Sequence, residues 1–265
     1  MQKTARLGMA GVVAAATLMF AGSAFAQEAS ASGQAGMTLP GTPGASATTG
    51  GSDHATMSEH IGVGYLGRRS IPIAADGGGG TFDVNGASVQ APVIGVRYWL
   101  DPSLGIDAGL GFVSTGGTTT TDNGNTSQDL DDQGATGFLL HAGVPLNLAD
   151  DGHFSFQIVP ELNVGFANST ISALPGSGQP DVKLSGFGLD IGARAGAEIH
   201  FGFIGIPQLS LQGSVGLLFA MESRKATVDS TPEQSVKHST TAIGTTVGDN
   251  PWNIFTSNVA AMYYF

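Results

Sequence analysis

Residues 188–201, GLDIGARAGAEIHF, carry two competing periodicities. Asp190, Arg194 and Glu198 stand four apart, the spacing at which opposite charges pair along a helix face. Leu189, Ile191, Ala193, Ala195, Ala197, Ile199 and Phe201 occupy every second position, the period of a strand with one apolar face. On a helix, a step of two residues rotates by about 200°, which would scatter that apolar set around the cylinder. Gly188, Gly192 and Gly196 would each cost about 1 kcal/mol against alanine inside a helix. The stretch therefore reads as a strand. Its polar face alternates glycine with charge, as though there were little room on that side.

The same alternation recurs over eight segments, at roughly 59–68, 90–100, 104–114, 136–147, 153–167, 184–202, 208–222 and 253–265. In HFSFQIVPELNVGFA, Phe154, Phe156, Ile158, Leu162, Val164 and Phe166 share one face, with His153, Ser155, Gln157, Glu161, Asn163 and Gly165 on the other. Connections after the odd-numbered strands are long and polar (69–89, 115–135, 168–183 and 223–252), whereas 101–103, 148–152 and 204–208 are tight. In an antiparallel chain that parity gathers every long loop at one end, as in transmembrane barrels with short periplasmic turns and long outer loops. An even strand number then predicts both termini on the periplasmic side.

Aromatic residues bound the aliphatic band. Tyr98, Trp99, Phe154, Phe156, Phe201, Phe203, Tyr263 and Phe265 fall near the tight turns; Phe112, Phe138, Phe166, Phe187, Phe219 and Phe255 fall at the opposite strand ends. Two such rings mark a bilayer-spanning barrel. Twelve steps separate Phe154 from Phe166, which at ~3.3 Å per residue and ~45° tilt spans about 28 Å, the hydrocarbon thickness. A soluble ligand-binding barrel would alternate equally well. Its exterior, however, would be the glycine-rich, sparsely charged face, which instead suits the narrow lumen of an eight-stranded barrel. Pro160 runs against a regular strand and calls for a bulge.

Composition agrees. Residues 1–26 have the form of a secretory signal: Lys3 and Arg6, an apolar stretch, and Ala24-Phe25-Ala26 for cleavage. Residues 27–58, rich in Ala, Ser, Thr and Gly, read as a flexible periplasmic leader, and 59–265 as the barrel domain. Without Lys3 and Arg6, 8 of the 10 basic residues face 21 acids, a net charge of −13 that argues against nucleic acid. There is no cysteine, hence no disulfide framework and no lipoprotein anchor. Only 12 % of residues are charged, against about 25–35 % on a soluble surface.

The pattern resembles the small outer-membrane barrels of Gram-negative bacteria, of the OmpA transmembrane-domain, OmpX and opacity-protein type, over residues 59–265. The most specific element is the end, VAAMYYF, where Val259, Ala261, Tyr263 and Phe265 alternate. It is similar to the assembly signal that the barrel-assembly machinery reads in that class. The resemblance implies an all-β, eight-stranded up-and-down transmembrane barrel in the outer membrane of the cell envelope. It also implies passage by periplasmic chaperones and that machinery, and contact with outer-membrane lipid and lipopolysaccharide. It does not transfer an activity. The peptidoglycan-binding domain of full-length OmpA is not expected after Phe265.

On these registers the lumen receives Arg97, Asp107, His141, Glu161, Asp190, Arg194 and Glu198. Charges in so dry a space must pair, which predicts a plugging network, with a small ion path as the alternative. The rival from another class is a lipid A-modifying enzyme, for which His141, His153 and Ser155 are the candidates; they form no recognisable nucleophile–base set. DLDDQG at 129–134 imitates a calcium loop but has Leu140 where the bidentate acid belongs. GGGG at 77–80 reads as loop. The expectation is therefore a non-enzymatic structural or surface-interaction protein, without metal or cofactor, whose long loops meet an unidentified extracellular partner.

Overall fold

The computed structural model describes residues 51–76, 82–122, 124, 127–173, 178–247 and 250–265. The expected signal, the leader up to residue 50 and GGGG at 77–80 lie outside them. Among the described residues ten strands form: β1 (Ile61–Asp76), β2 (Phe82–Asp101), β3 (Leu104–Asp122), β4 (Ser127–Gly143), β5 (Leu146–Asp151), β6 (Phe154–Ile171), β7 (Val182–Phe201), β8 (Ile206–Val228), β9 (Gln234–Thr245) and β10 (Val259–Tyr264). All pairings are antiparallel. The path β10-β1-β2-β3-β4-β6-β7-β8 closes on itself through β10–β8, giving an eight-stranded barrel. Among the described residues no helix is long and apolar enough to cross a membrane.

The faces follow the period-two reading. Along β6, Phe154, Phe156, Leu162 and Phe166 are exposed, and Ser155, Gln157, Val159, Glu161, Asn163, Gly165 and Ala167 are buried. Ile94, Leu110, Phe112, Leu140, Ile191 and Leu217 are likewise exposed on other strands, each by 44 % or more. Aliphatic side chains out and charges in is the inverse of a soluble protein. Trp99 departs from the expected aromatic ring: it follows the outward Tyr98, so the pleat turns it inward, and it is fully buried.

Pro160 needs no bulge in its own strand, because β6 pairs β7 without a register shift from Phe154 to Ile171. The interruption falls on the neighbour, where β4 ends at Gly143 and β5 begins at Leu146. Val144 N–H still donates to the Pro160 carbonyl (2.9 Å), while the Pro145 carbonyl turns to Gly105 N–H (2.8 Å). Two prolines thus meet where neither can donate.

The strands run far beyond the predicted boundaries. Residues 69–76, 82–89, 115–122, 127–135, 168–171 and 223–228, expected as loop, continue the ladders as hairpins. The second tight connection shrinks to Gly152 and His153. The eighth wall strand is not continuous over 253–265. Its upper part is β9, which among the described residues pairs with β8 alone, and its lower part is β10, paired with β8 and β1. Between them runs an excursion containing the short helix α1 (Asn253–Thr256).

β1 leaves the wall above a bulge between Tyr65 and Arg68. Gly67 there has φ +106°, and a Cβ would lie 2.7 Å from the Ser257 carbonyl oxygen, so only glycine fits. Beyond it the β1–β2 hairpin leans into the lumen. Ile71 packs on Gly165 and Gly137, and Pro72 on Gly188; a Cβ at Gly186 would collide with the Pro72 carbonyl. Leu66, Ile71, Ile73, Ala91, Val93, Leu139, Ala167, Leu184 and Ala226 form a buried apolar core. The upper lumen is therefore filled by hydrocarbon, not by charge alone.

At the opposite end, residues 51–60 cover the barrel mouth. Asp53 N–H donates to Gly152 O (2.8 Å), Glu59 N–H to Trp99 O (2.8 Å), and the Ser52 hydroxyl to the Asp150 carboxylate. His54 and Met57, on the short helical turn His54–Met57, are buried. This part of the expected leader is docked rather than free.

Candidate functional site

The lower lumen is organised around Arg97. The tight β2–β3 turn sets Arg97 directly opposite Asp107, and the guanidinium donates to both carboxylate oxygens, Nε to Oδ1 at 2.7 Å and Nη2 to Oδ2 at 2.8 Å. Its remaining protons reach Gln157 (3.2 Å), Gln212 (3.3 Å) and, more weakly, Glu198 (3.4 Å). Glu198 also accepts from Gln157, Ser210 and Tyr264, and Trp99 Nε1 donates to the Tyr264 hydroxyl at 3.2 Å.

One layer higher, Glu161 accepts from Arg194 Nε (2.6 Å) and from Arg69 Nη2 (3.0 and 3.2 Å). Arg69 is present because β1 has leaned inward. His141 Nδ1 lies 2.7 Å from Asn163 Oδ1, its register partner. Six of the seven expected lumen residues (Arg97, Asp107, His141, Glu161, Arg194 and Glu198) are at most 4 % exposed. Asp190 is only partly buried and has no hydrogen-bond or ion-pair partner among the described residues. It lines a cleft of ≈ 270 Å³ with Arg68, Arg69, Glu222 and Asn258 at the seam between β1 and β8.

Arg69 alters the expected charge balance. The four acids Asp107, Glu161, Asp190 and Glu198 face three arginines rather than two. The charges divide by layer: Arg69 and Arg194 on Glu161 above, and Arg97 between Asp107 and Glu198 below. The lower layer keeps a surplus negative charge.

The three residues considered for lipid chemistry are engaged separately. His153 Nδ1 meets Asp53 at 2.6 Å, the Ser155 hydroxyl accepts from Gln157 at 3.0 Å, and His141 meets Asn163. Residues 129–134 lie within β4, where Asp129 accepts from Thr120 Oγ1 at 2.7 Å. Tyr263 and Phe265 point outward, 43 % and 73 % exposed, while Tyr264 between them is buried. At the floor, His54 and His200 bring ring nitrogens close to Glu198. Neither stood out in the sequence, since His54 sits in a low-complexity leader and His200 at a strand end.

No protein-family profile matches the chain, and no curated protein matches it. Among solved structures, Ail, the attachment invasion locus protein of Yersinia pestis, is similar at 14 % identity, with 78 % of this chain and 97 % of that chain covered and a TM-score of 0.32.

Proposed function

We propose that the protein is an integral barrel of the Gram-negative outer membrane with a structural or surface-interaction role and no enzymatic one. The observation that carries this reading is the continuous outward band of exposed aliphatic side chains around a closed ring with a charged interior. In this reading residues 1–26 are a removed secretory signal, both termini are periplasmic, and periplasmic chaperones and the barrel-assembly machinery deliver the chain. Outer-membrane lipid and lipopolysaccharide surround it. The far ends of the β1–β2, β3–β4, β6–β7 and β8–β9 hairpins then form the extracellular surface. β9 gives that surface an outer edge unpaired among the described residues, a backbone template on which an extended partner segment can pair. The lumen acts as a plug, ionic below and apolar above.

Expression in a Gram-negative host tests this directly. The folded protein fractionates with the outer membrane, migrates as a heat-modifiable band, and produces no change in lipid A acylation. In planar bilayers it carries little steady current. Recovery from the soluble periplasm would overturn the membrane reading, altered lipid A would put the enzyme first, and a stable large conductance would put the pore first.

A further inference from the structure

The floor of the lumen joins three side chains that neither the charge network nor the membrane band requires together. His54 comes from the segment covering the mouth, and Glu198 and His200 from the end of β7. They are 1 %, 0 % and 0 % exposed. One ligand atom from each lies within 4.8 Å of the others.

The hydrogen bonds fix the histidine tautomers. His54 Nε2 lies 3.0 Å from the Pro102 carbonyl, and His200 Nδ1 lies 3.1 Å from the Pro207 carbonyl. A carbonyl only accepts, so these nitrogens carry the protons. The lone pairs are left on His54 Nδ1 and His200 Nε2, both buried and without a hydrogen-bond partner among the described residues. An imidazole whose far N–H is anchored on a backbone carbonyl, with its other nitrogen bare, has the second-sphere arrangement of a metal-ligating histidine. Trp99 meets the His54 ring edge-on at 4.4 Å and fixes its plane.

Charge points the same way. Asp107 takes two short bonds from Arg97, leaving Glu198 a single 3.4 Å contact with that guanidinium. Its other donors, Gln157, Ser210 and Tyr264, are neutral, so the buried charge itself is paired only with that guanidinium, which favours a second cation in exchange for one of these neutral donors. Two neutral imidazoles and one carboxylate are a donor set suited to a borderline divalent ion with an open fourth position.

We propose that His54, His200 and Glu198 bind a divalent transition-metal ion, zinc above all, which clips residues 51–60 to the floor of the barrel. Zinc at about 2.0–2.2 Å from each ligand brings the donor atoms to roughly 3.4 Å apart. His54 can supply that contraction because its segment is a single short turn rather than a wall strand.

The test uses the full chain, refolded in detergent micelles after chelator treatment and titrated calorimetrically with Zn²⁺ alone. One saturable site is expected, and Co²⁺ at the same site gives a visible d–d absorption that Zn²⁺ abolishes. His54→Ala weakens Zn²⁺ by more than the about 10–100-fold that losing an outer-sphere partner costs, and His238→Ala on β9 leaves it unchanged. His200→Gln repeats the His54→Ala result. If that variant gives no heat-modifiable band, His54→Ala carries the test by itself, since it lies outside the strands. Zn²⁺ also protects residues 51–60 from protease in the wild type and not in His54→Ala. Absence of saturable binding, or binding that survives His54→Ala, overturns the site. Binding without added protection overturns the clip.

Discussion

Replacing Arg97 by Met separates an ionic plug from a merely filled one. The substitution keeps most of the side-chain volume and removes five hydrogen bonds: two to Asp107 and one each to Gln157, Gln212 and Glu198. Asp107 is then left buried, 1 % exposed, with its paired cation gone. Stranding one partner of a buried pair costs about 3–5 kcal/mol. Glu198 keeps Ser210, Tyr264 and Gln157 as donors, so its share is smaller. Arg194→Met is milder, because Glu161 retains Arg69 at 3.0 Å; it loses the charged hydrogen bond to Glu161, worth about 1.5–3 kcal/mol, and a longer 3.3 Å bond to Ser214, and strands no buried charge. Adding Asp107→Leu to Arg97→Met removes the stranded acid and restores much of the loss, since a buried pair exchanged for apolar groups is often neutral. Urea titration of the refolded protein, followed by the fluorescence of Trp99 and Trp252, measures all four proteins. An Arg97→Met variant no less stable than Arg194→Met, or strictly additive losses in the double variant, would refute the reasoning.

Gly186→Val forces a side chain into the Pro72 carbonyl; overpacking of this kind costs about 1–3 kcal/mol, and expelling the β1–β2 hairpin should raise bilayer conductance, so unchanged stability and current would contradict the inward lean. Phe265→Asp places a charge on an outward position that is 73 % exposed, and is expected to lower folded outer-membrane yield; normal yield argues against the terminal assembly signal. An epitope tag within 118–128 is expected to be antibody-accessible on intact cells and one at Asp150 only after the outer membrane is opened, with reversed labelling counting against the orientation. Hydrogen bonds from Ser103 and Leu104 hold Asp101 below its ordinary range, so its contribution to the first tight turn is present above the unfolded value of 3.8 and lost as pH falls below it; Asp101→Ala should flatten that part of the acid titration, and an unaltered acid limb would exclude the role.

The lumen was legible because the pleat forces it. Once Leu189 and Ile191 face lipid, Asp190, Arg194 and Glu198 must face inward. Above the aromatic ring that logic lapses: TGGTTTTD at 115–122 has no apolar face to alternate, yet it is strand, because a hairpin ladder needs only backbone hydrogen bonds. Arg69 was hidden in an expected loop, although a glycine at 67 inside a strand pattern is the mark of a bulge. The division of the eighth strand had a local sign in Asn250-Pro251, a turn pair that no continuous wall strand accommodates. No local sign marked His54, whose role exists only through long-range contact with β7.

The divided eighth strand also decides how the cylinder comes apart. β10 is held by four residue pairs to β1 and five to β8, whereas eighteen join β6 to β7. A pull on the C-terminal end therefore loads the shortest ladders in the ring, and these are short enough to peel before any other strand yields. Once β10 is gone, β9 offers β1 no pairing to keep the wall closed, and the tear can spread from this line around the circumference, one hairpin at a time.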